Sequence, residues 1–397
     1  MRIHRRQSKL LSLLLAAAII LGGIVSGGRC RAAIPAVDDG LVVVSIGDSY
    51  SAGEGLSPFY GQDKPRKERV KDENWLAHRS TQAWAGQLTI ATASGERVAL
   101  RDRFCEPGTA NEDISWYFAA STGAKTEHLT IPQEKFYAVF EGLWHVSIGT
   151  AYLTPQLEVF NGLTGNVDYV TVTIGGNDAH FVEIIASCLT TSSLLTPKKL
   201  TRKLNKIWEE FFNPDQETGI RLRLIEAYTQ ICEAAGPQAC VIVVGYPPLL
   251  SDRGFSVSRK EASQVNEAVH MFNQWLAMLV EYCRVKNGLN LYFVSVEKEF
   301  EGHEAYSEDP YIFPLVYNDK QSKTEEINQL EPISGHSFHP NEKGAAVYAA
   351  AVQRKIDELE IRRKIRNGIP WIPEETTVAE AGQPYLLPEA RRKRFCA

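Results

Sequence analysis

LVVVSIGDSYSAGEG, residues Leu41 to Gly55, is the stretch from which the fold can be read. Its first part, Leu41 to Ile46, is a short apolar run rich in β-branched side chains, the pattern of a strand buried on both faces of a parallel sheet. The glycines and small polar residues that follow, Gly47 to Gly55, read as a turn. The same signature recurs three times. Asp168 to Ile174 (DYVTVTI) runs into Gly175-Gly176, Cys240 to Val244 (CVIVV) into Gly245 and two prolines, and Leu289 to Val296 (LNLYFVSV) into a charged stretch. Helical patterns cover Thr218 to Ala234 and Lys260 to Lys286, and a last helix is expected over Asn341 to Glu358, after Pro340. Alternation of strand and helix predicts βαβ units, hence an α/β fold with a mostly parallel sheet. Leu56 to Asn166 is long for a connection. One strand, Arg97 to Leu100, is expected in it, with the remainder as insertions walling a binding site. Ser192 to Lys206 reads as a Ser/Thr/Lys loop leading into a helix.

The composition is that of a globular chain: 397 residues, 44% hydrophobic and 23% charged, with 29 Gly and 19 Pro. One decorated α/β domain over residues 38 to 358 accounts for the motif order. With 43 basic against 48 acidic residues, no surplus of positive charge offers itself to a phosphate backbone, so nucleic acid is not the expected partner. Residues 1 to 33 have the three-part layout of a secretory signal: Arg2, Arg5, Arg6 and Lys9, then an uncharged apolar run from Leu10 to Val25, then small residues ending at Ala32-Ala33. The run is shorter than the roughly 20 residues of a bilayer span, so no stable membrane span is expected after cleavage. Cleavage near Ala32 removes Cys30 and leaves Cys105, Cys188, Cys232, Cys240, Cys283 and Cys396, an even set expected to form disulfides in an oxidising compartment. Residues 359 to 397, basic, then Pro-rich and acidic, then basic again, read as a C-terminal tail.

In an open α/β sheet, ligands sit beyond the carboxyl ends of the strands, so residues just after each strand deserve first inspection. There stand Ser49, Asn177 with Asp178, and, before the final helix, His336 and His339. A serine, an asparagine and a histidine are the types needed for a nucleophile, an oxyanion donor and a general base. GDSY at 47 to 50, GGND at 175 to 178 and HPN at 339 to 341, in that order, resemble the blocks of the SGNH (GDSL-type) hydrolases. Phe118 to Thr126 (FAASTGAKT) is similar to that family's glycine block. The resemblance is closest to secreted lipase and esterase members. It implies a flavodoxin-like three-layer fold with long insertions, an ester-hydrolysing activity on a small-molecule, lipid or acylated-carbohydrate substrate, and neither metal nor cofactor. It also implies an acyl-enzyme on Ser49 with His339 as general base. The oxyanion would be held by the N–H groups of Ser49 and Gly123 and the side-chain amide of Asn177, while Asp178 serves as a cap or loop brace.

The sequence departs from the family three residues before the base, where members commonly carry Asp and this chain has His336. The expectation is then a Ser-His dyad in which the His336 main-chain carbonyl orients the imidazole, or a carboxylate from elsewhere such as Asp309 or Glu304. His78-Arg79-Ser80 resembles a segment of secreted relatives and also fits a loop salt bridge beside an aromatic core. His303-Glu304 lacks the second His of HExxH, and no GxSxG nucleophile elbow occurs. Alternative functions are a carbohydrate or cell-wall O-acetyl esterase and a non-catalytic binding protein on the same fold.

Overall fold

The computed structural model describes residues 40–366 apart from 93, 142–144, 164, 182–196, 214–218, 253–258 and 319–326. Five strands form its central sheet: β1 (Leu41–Gly47), β4 (Ile114–Phe118), β7 (Tyr169–Thr173), β8 (Cys240–Val244) and β9 (Leu291–Val294). Two antiparallel pairs are added, β2 (Thr89–Ala91) with β3 (Arg97–Ala99), and β5 (Gln133–Glu141) with β6 (His145–Leu153). The helices that matter here are α1 (Ser49–Ala52), α2 (Pro197–Phe211), α3 (Ile220–Ala235), α4 (Arg259–Lys286) and α5 (Glu342–Arg366).

The central order is β4-β1-β7-β8-β9, with every neighbouring pair parallel. Counted within the sheet this is the 2-1-3-4-5 order of flavodoxin-like folds, and the chain leaves β1 toward one side and returns on the other. A crevice therefore opens at the carboxyl ends of β1 and β7. The strands are apolar because both faces are covered: Val43, Val44, Ile46, Trp116, Val170, Val172 and Val241 to Val244 are inaccessible to solvent. The polar residues among them satisfy one another across the sheet. Ser45 Oγ accepts from Trp116 Nε1 and Thr171 Oγ1, both at 2.9 Å. Helices α2 and α3 pack on α4, and α4 and α5 both reach β9.

The expected α/β class, four of the central strands and the three helices are found to within a few residues. The fifth strand, β4, and the β5–β6 hairpin arise from the segment read as insertions. Helix α5 continues past Glu358, where the last helix was expected to end, to Arg366. No disulfide joins any two of the described cysteines, Cys105, Cys232, Cys240 and Cys283; Cys30, Cys188 and Cys396 lie outside the described residues, as do the leader and the rest of the tail. Among the described residues no helix is long and apolar enough to cross a membrane.

Gly47 is where the sheet hands the chain to the site. Its φ of +123° is a conformation that L side chains rarely adopt, and a Cβ there would lie 2.2 Å from the Thr173 carbonyl oxygen. That carbonyl accepts the Asp48 N–H at 2.8 Å, so β1 and β7 touch too closely for a side chain. Gln156 clamps the same residue, accepting the Gly47 N–H at 2.7 Å and donating to its carbonyl at 2.8 Å. Gly47→Ala must part the two strands or strain the turn. It is expected to cost about 3 kcal/mol or more, in the range of severe backbone substitutions, read as a fall in the urea midpoint at unchanged slope.

Candidate active site

Ser49 opens the single-turn helix α1. Asp48 caps it in extended conformation, accepting the Tyr50 N–H at 3.0 Å. Asp48 is buried, and burial pushes its carboxyl up to about 6 against the pull of its hydrogen bonds from Thr173, Tyr246 and Tyr50. Tyr246, from the Gly-Tyr-Pro after β8, donates to Asp48 at 2.5 Å and accepts the Gly176 N–H at 3.0 Å. The ends of β1, β7 and β8 are thus joined through one phenol.

His339 stands opposite, 9% exposed. Its Nε2 lies 2.7 Å from Ser49 Oγ, and its Nδ1 lies 3.1 Å from the Ser337 carbonyl oxygen. A carbonyl can only accept, so Nδ1 carries the proton and the Nε2 lone pair faces the serine hydroxyl. Burial lowers the His339 pKa below its ordinary value, opposed by the Glu54 charge and by the carbonyls of Ser337 and Gly335. The imidazole is therefore neutral at neutral pH.

The orienting carbonyl is not the one expected. The His336 carbonyl accepts the backbone N–H of His339 at 3.1 Å, closing the turn, and the carbonyl at hydrogen-bond distance from the ring is that of Ser337, two residues before His339. The two carboxylates considered as substitutes are engaged elsewhere. Asp309 pairs with Lys343 and lies 3.7 Å from His303, and Glu304 accepts the Gly302 N–H at 3.2 Å.

The turn after β4 brings Gly123 to the same crevice. The Ala119 N–H donates to the Ser45 carbonyl at 2.8 Å and the Ser121 N–H to the Gly47 carbonyl at 3.0 Å, which binds this turn to the end of β1. Gly123 has φ +70°, a conformation natural to glycine. Neither its N–H nor that of Ser49, at the first position of α1, has an acceptor among the described residues. Asn177, after β7, spends one amide hydrogen on the Ala124 carbonyl at 2.9 Å, which ties GGND to the glycine turn and leaves its second hydrogen. Asp178 braces the same turn, accepting the Thr126 N–H at 3.0 Å and the Thr126 hydroxyl at 2.6 Å, with Arg223 at 3.3 Å.

The His78-Arg79-Ser80 segment is a brace under the site. His78 Nδ1 lies 2.9 Å from both oxygens of Glu54, a buried pair 2% and 1% exposed, and its ring stacks on Phe59. Arg79 donates to the Ala120 carbonyl at 3.0 Å and to Asn74 at 2.7 Å. Sequence reasoning did not single out Glu54, Lys135, Gln133 or Gln156, all buried and polar near the crevice. Three of them sit in the insertion, where no motif marks them; Glu54 stands four residues after the GDSY block, where a charge between Gly53 and Gly55 was the only signal.

No family model matches the chain. Two curated proteins are similar to it along most of its length: Lipase 1 of Streptomyces coelicolor, 25% identical over 346 residues, and a lipase of Streptomyces rimosus, 25% identical over 347 residues, each alignment covering 87% of this chain and 95% of the relative. Two solved structures, an extracellular lipase from Streptomyces rimosus and phospholipase A1 from Streptomyces albidoflavus, each superpose with a TM-score of 0.48 at 20% identity, over 80% of this chain and 99% of theirs. A chain aligned nearly end to end with curated lipases, on a 2-1-3-4-5 sheet, is an ester-hydrolysing enzyme, and its four motif blocks resemble those of the SGNH hydrolases.

Proposed function

We propose that the protein is an exported serine lipase or esterase in which Ser49 attacks the ester carbonyl and His339 is the general base, a dyad completed by the Ser337 carbonyl. The observation that carries this reading is the 2.7 Å approach of His339 Nε2 to Ser49 Oγ with Nδ1 turned to a main-chain oxygen. His339 takes the hydroxyl proton as Oγ bonds to the carbonyl carbon, and returns it to the departing alkoxide. Water, deprotonated by the same imidazole, then releases the acid from Ser49. The oxyanion of each tetrahedral intermediate meets the N–H groups of Ser49 and Gly123 and the second amide hydrogen of Asn177, donors each worth about 100- to 1000-fold in rate. Export rests on the leader at residues 1 to 33.

A lipidic ester is favoured over an acetylated sugar by the outer face of the β5–β6 hairpin. There Phe136, Phe140, Val146, Ile148 and Tyr152 are 46 to 63% exposed, while the inner face of the same hairpin bonds to the glycine turn. An exposed apolar face on the hairpin that braces the glycine turn suits contact with a lipid aggregate and offers a carbohydrate little.

Ser49→Ala should abolish ester hydrolysis and labelling by a fluorophosphonate, with circular dichroism unchanged; labelling that persists in this variant would sink the nucleophile assignment. Because orientation comes from a main-chain carbonyl, His336→Ala should retain activity within about tenfold, about 1.4 kcal/mol in the barrier. In the wild type and in His336→Ala, the acid limb of kcat/KM should rise with pH as His339 loses its proton, with a midpoint below the ordinary imidazole value of about 6.5. A limb at or above that value would contradict a buried neutral base. Replacing Phe136 and Ile148 together by Ser should lower turnover of emulsified long-chain esters several-fold while sparing a soluble acetate ester. Equal losses on both, or a preference for acetylated sugars, would favour the carbohydrate-esterase alternative.

A further inference from the structure

The peptide unit between Thr122 and Gly123 has two ends. A trans peptide is planar, and its C=O and N–H point in opposite directions, so whatever grips the Thr122 oxygen also aims the Gly123 N–H. Two side chains from β5 grip it. Gln133 Nε2 donates to the Thr122 carbonyl at 2.9 Å, and Lys135 Nζ donates to the same oxygen. Both are buried, at 6% and 7% exposure, on the inner face of the hairpin. The peptide is anchored on its other flank by the Thr122 N–H, which donates to the Ala77 carbonyl at 3.0 Å.

We infer that Lys135, seconded by Gln133, is a positioning residue of the oxyanion hole: it fixes the Thr122–Gly123 peptide and polarises it, so that the Gly123 N–H meets developing negative charge as a stronger donor. The inference rests on the reading of Gly123 as an oxyanion donor. Its physical basis is that a charge on the acceptor end of an amide draws electrons from the donor end, an effect magnified in a buried, weakly screened site. A preorganised dipole costs nothing to reorient when the reaction occurs. Burial, reinforced by Arg79 and opposed by Glu54, brings the Lys135 pKa down to about 7, and Lys135 in turn adds to the burial that lowers the His128 pKa. A lysine needed only for packing would be replaced without loss by methionine.

The test compares an oxygen ester with its thionoester, whose C=S sulfur accepts hydrogen bonds poorly and fits an oxyanion hole badly. Wild-type enzyme should prefer the oxygen ester by about 100-fold or more. Lys135→Met should lower kcat on the oxygen ester by about tenfold with KM within about twofold, and should shrink the oxygen-to-sulfur preference by a similar factor, the mark of an interaction made only in the transition state. Lys135→Gln, which keeps a donor, should recover part of the loss. Asn177→Ala serves as the reference, since it removes a donor outright. A wild-type preference near unity would show that no oxyanion hole of this kind operates, and the Gly123 reading would fall along with the inference. A large wild-type preference that collapses in Asn177→Ala but stands in Lys135→Met, whether or not kcat changes, would overturn the inference alone. Should Lys135→Met not fold, Gln133→Met is read in the same way and decides the question.

Discussion

A neutral imidazole held between a serine hydroxyl and a peptide carbonyl has direction but little charge behind it, and the surrounding structure compensates for that. In a triad, a carboxylate both aims the ring and steadies the imidazolium; a carbonyl does only the first well. Here aim is secured by packing from the nucleophile's own helix. Tyr50, next to Ser49, donates its hydroxyl to the Phe338 carbonyl at 2.8 Å, and its ring lies 5.0 Å from that of His339. Phe338 itself is held at φ +62°, a strained conformation for a bulky residue, and the His339 carbonyl is fixed by the Phe313 N–H at 2.8 Å. Trp84 closes the chain of contacts, donating to the Tyr50 carbonyl at 2.9 Å. The serine and histidine loops, far apart in sequence, are thereby one rigid unit.

Charge is supplied from a distance. Glu54 follows directly from the nucleophile's turn, its N–H donating to the Ser49 carbonyl at 3.1 Å. Burial alone would raise its carboxyl, but the charge and hydrogen bonds of His78, with smaller contributions from His339 and His336, overcome this and hold it well below the usual carboxylate range. A buried anion with a bonded partner is tolerable where a lone one is not. Glu54 therefore adds negative potential at the His339 ring without bonding to it, and it acts on Lys135 as well, while Lys135 and Arg79 bond to carbonyls of the turn that carries Gly123.

Much of this was legible in the residues. The parallel strands announced themselves because burial on both faces forces apolar runs, as in Leu41 to Ile46 and Cys240 to Val244. Ser49, Gly123 and Asn177 fell in the turns after strands, and His339 just before the last helix, where backbone geometry demands glycine and small residues and so leaves a recognisable signature. What escaped lacked such a signature. Strand β4, ISWYF, is five residues long and interrupted by Ser115 and Trp116, so it carries no clean period; its partners, not its own sequence, make it a strand. The orienting carbonyl escaped because any residue supplies one, and only the curl of the chain at Phe338 decides whether Ser337 or His336 faces the ring. Lys135 and Gln133 escaped because side chains that serve a remote peptide need no motif at all.

The hairpin shows how one strand can serve chemistry and surface together. Successive side chains of β5 alternate between faces, so Gln133 and Lys135 turn inward to the Thr122 carbonyl while Glu134 and Phe136 turn outward. A slip of one residue in the pairing of β5 with β6 would send the lysine to solvent and a phenylalanine toward the oxyanion turn. Register is therefore under constraint from the site as well as from the small core that the hairpin covers, where Val139 and Leu153 meet Phe59, Trp75 and Leu76. That core fixes the inner face and leaves the outer one unconstrained by folding. Outer positions such as Phe140 and Ile148 can then vary while the Thr122–Gly123 peptide behind the inner face stays held by Gln133 and Lys135.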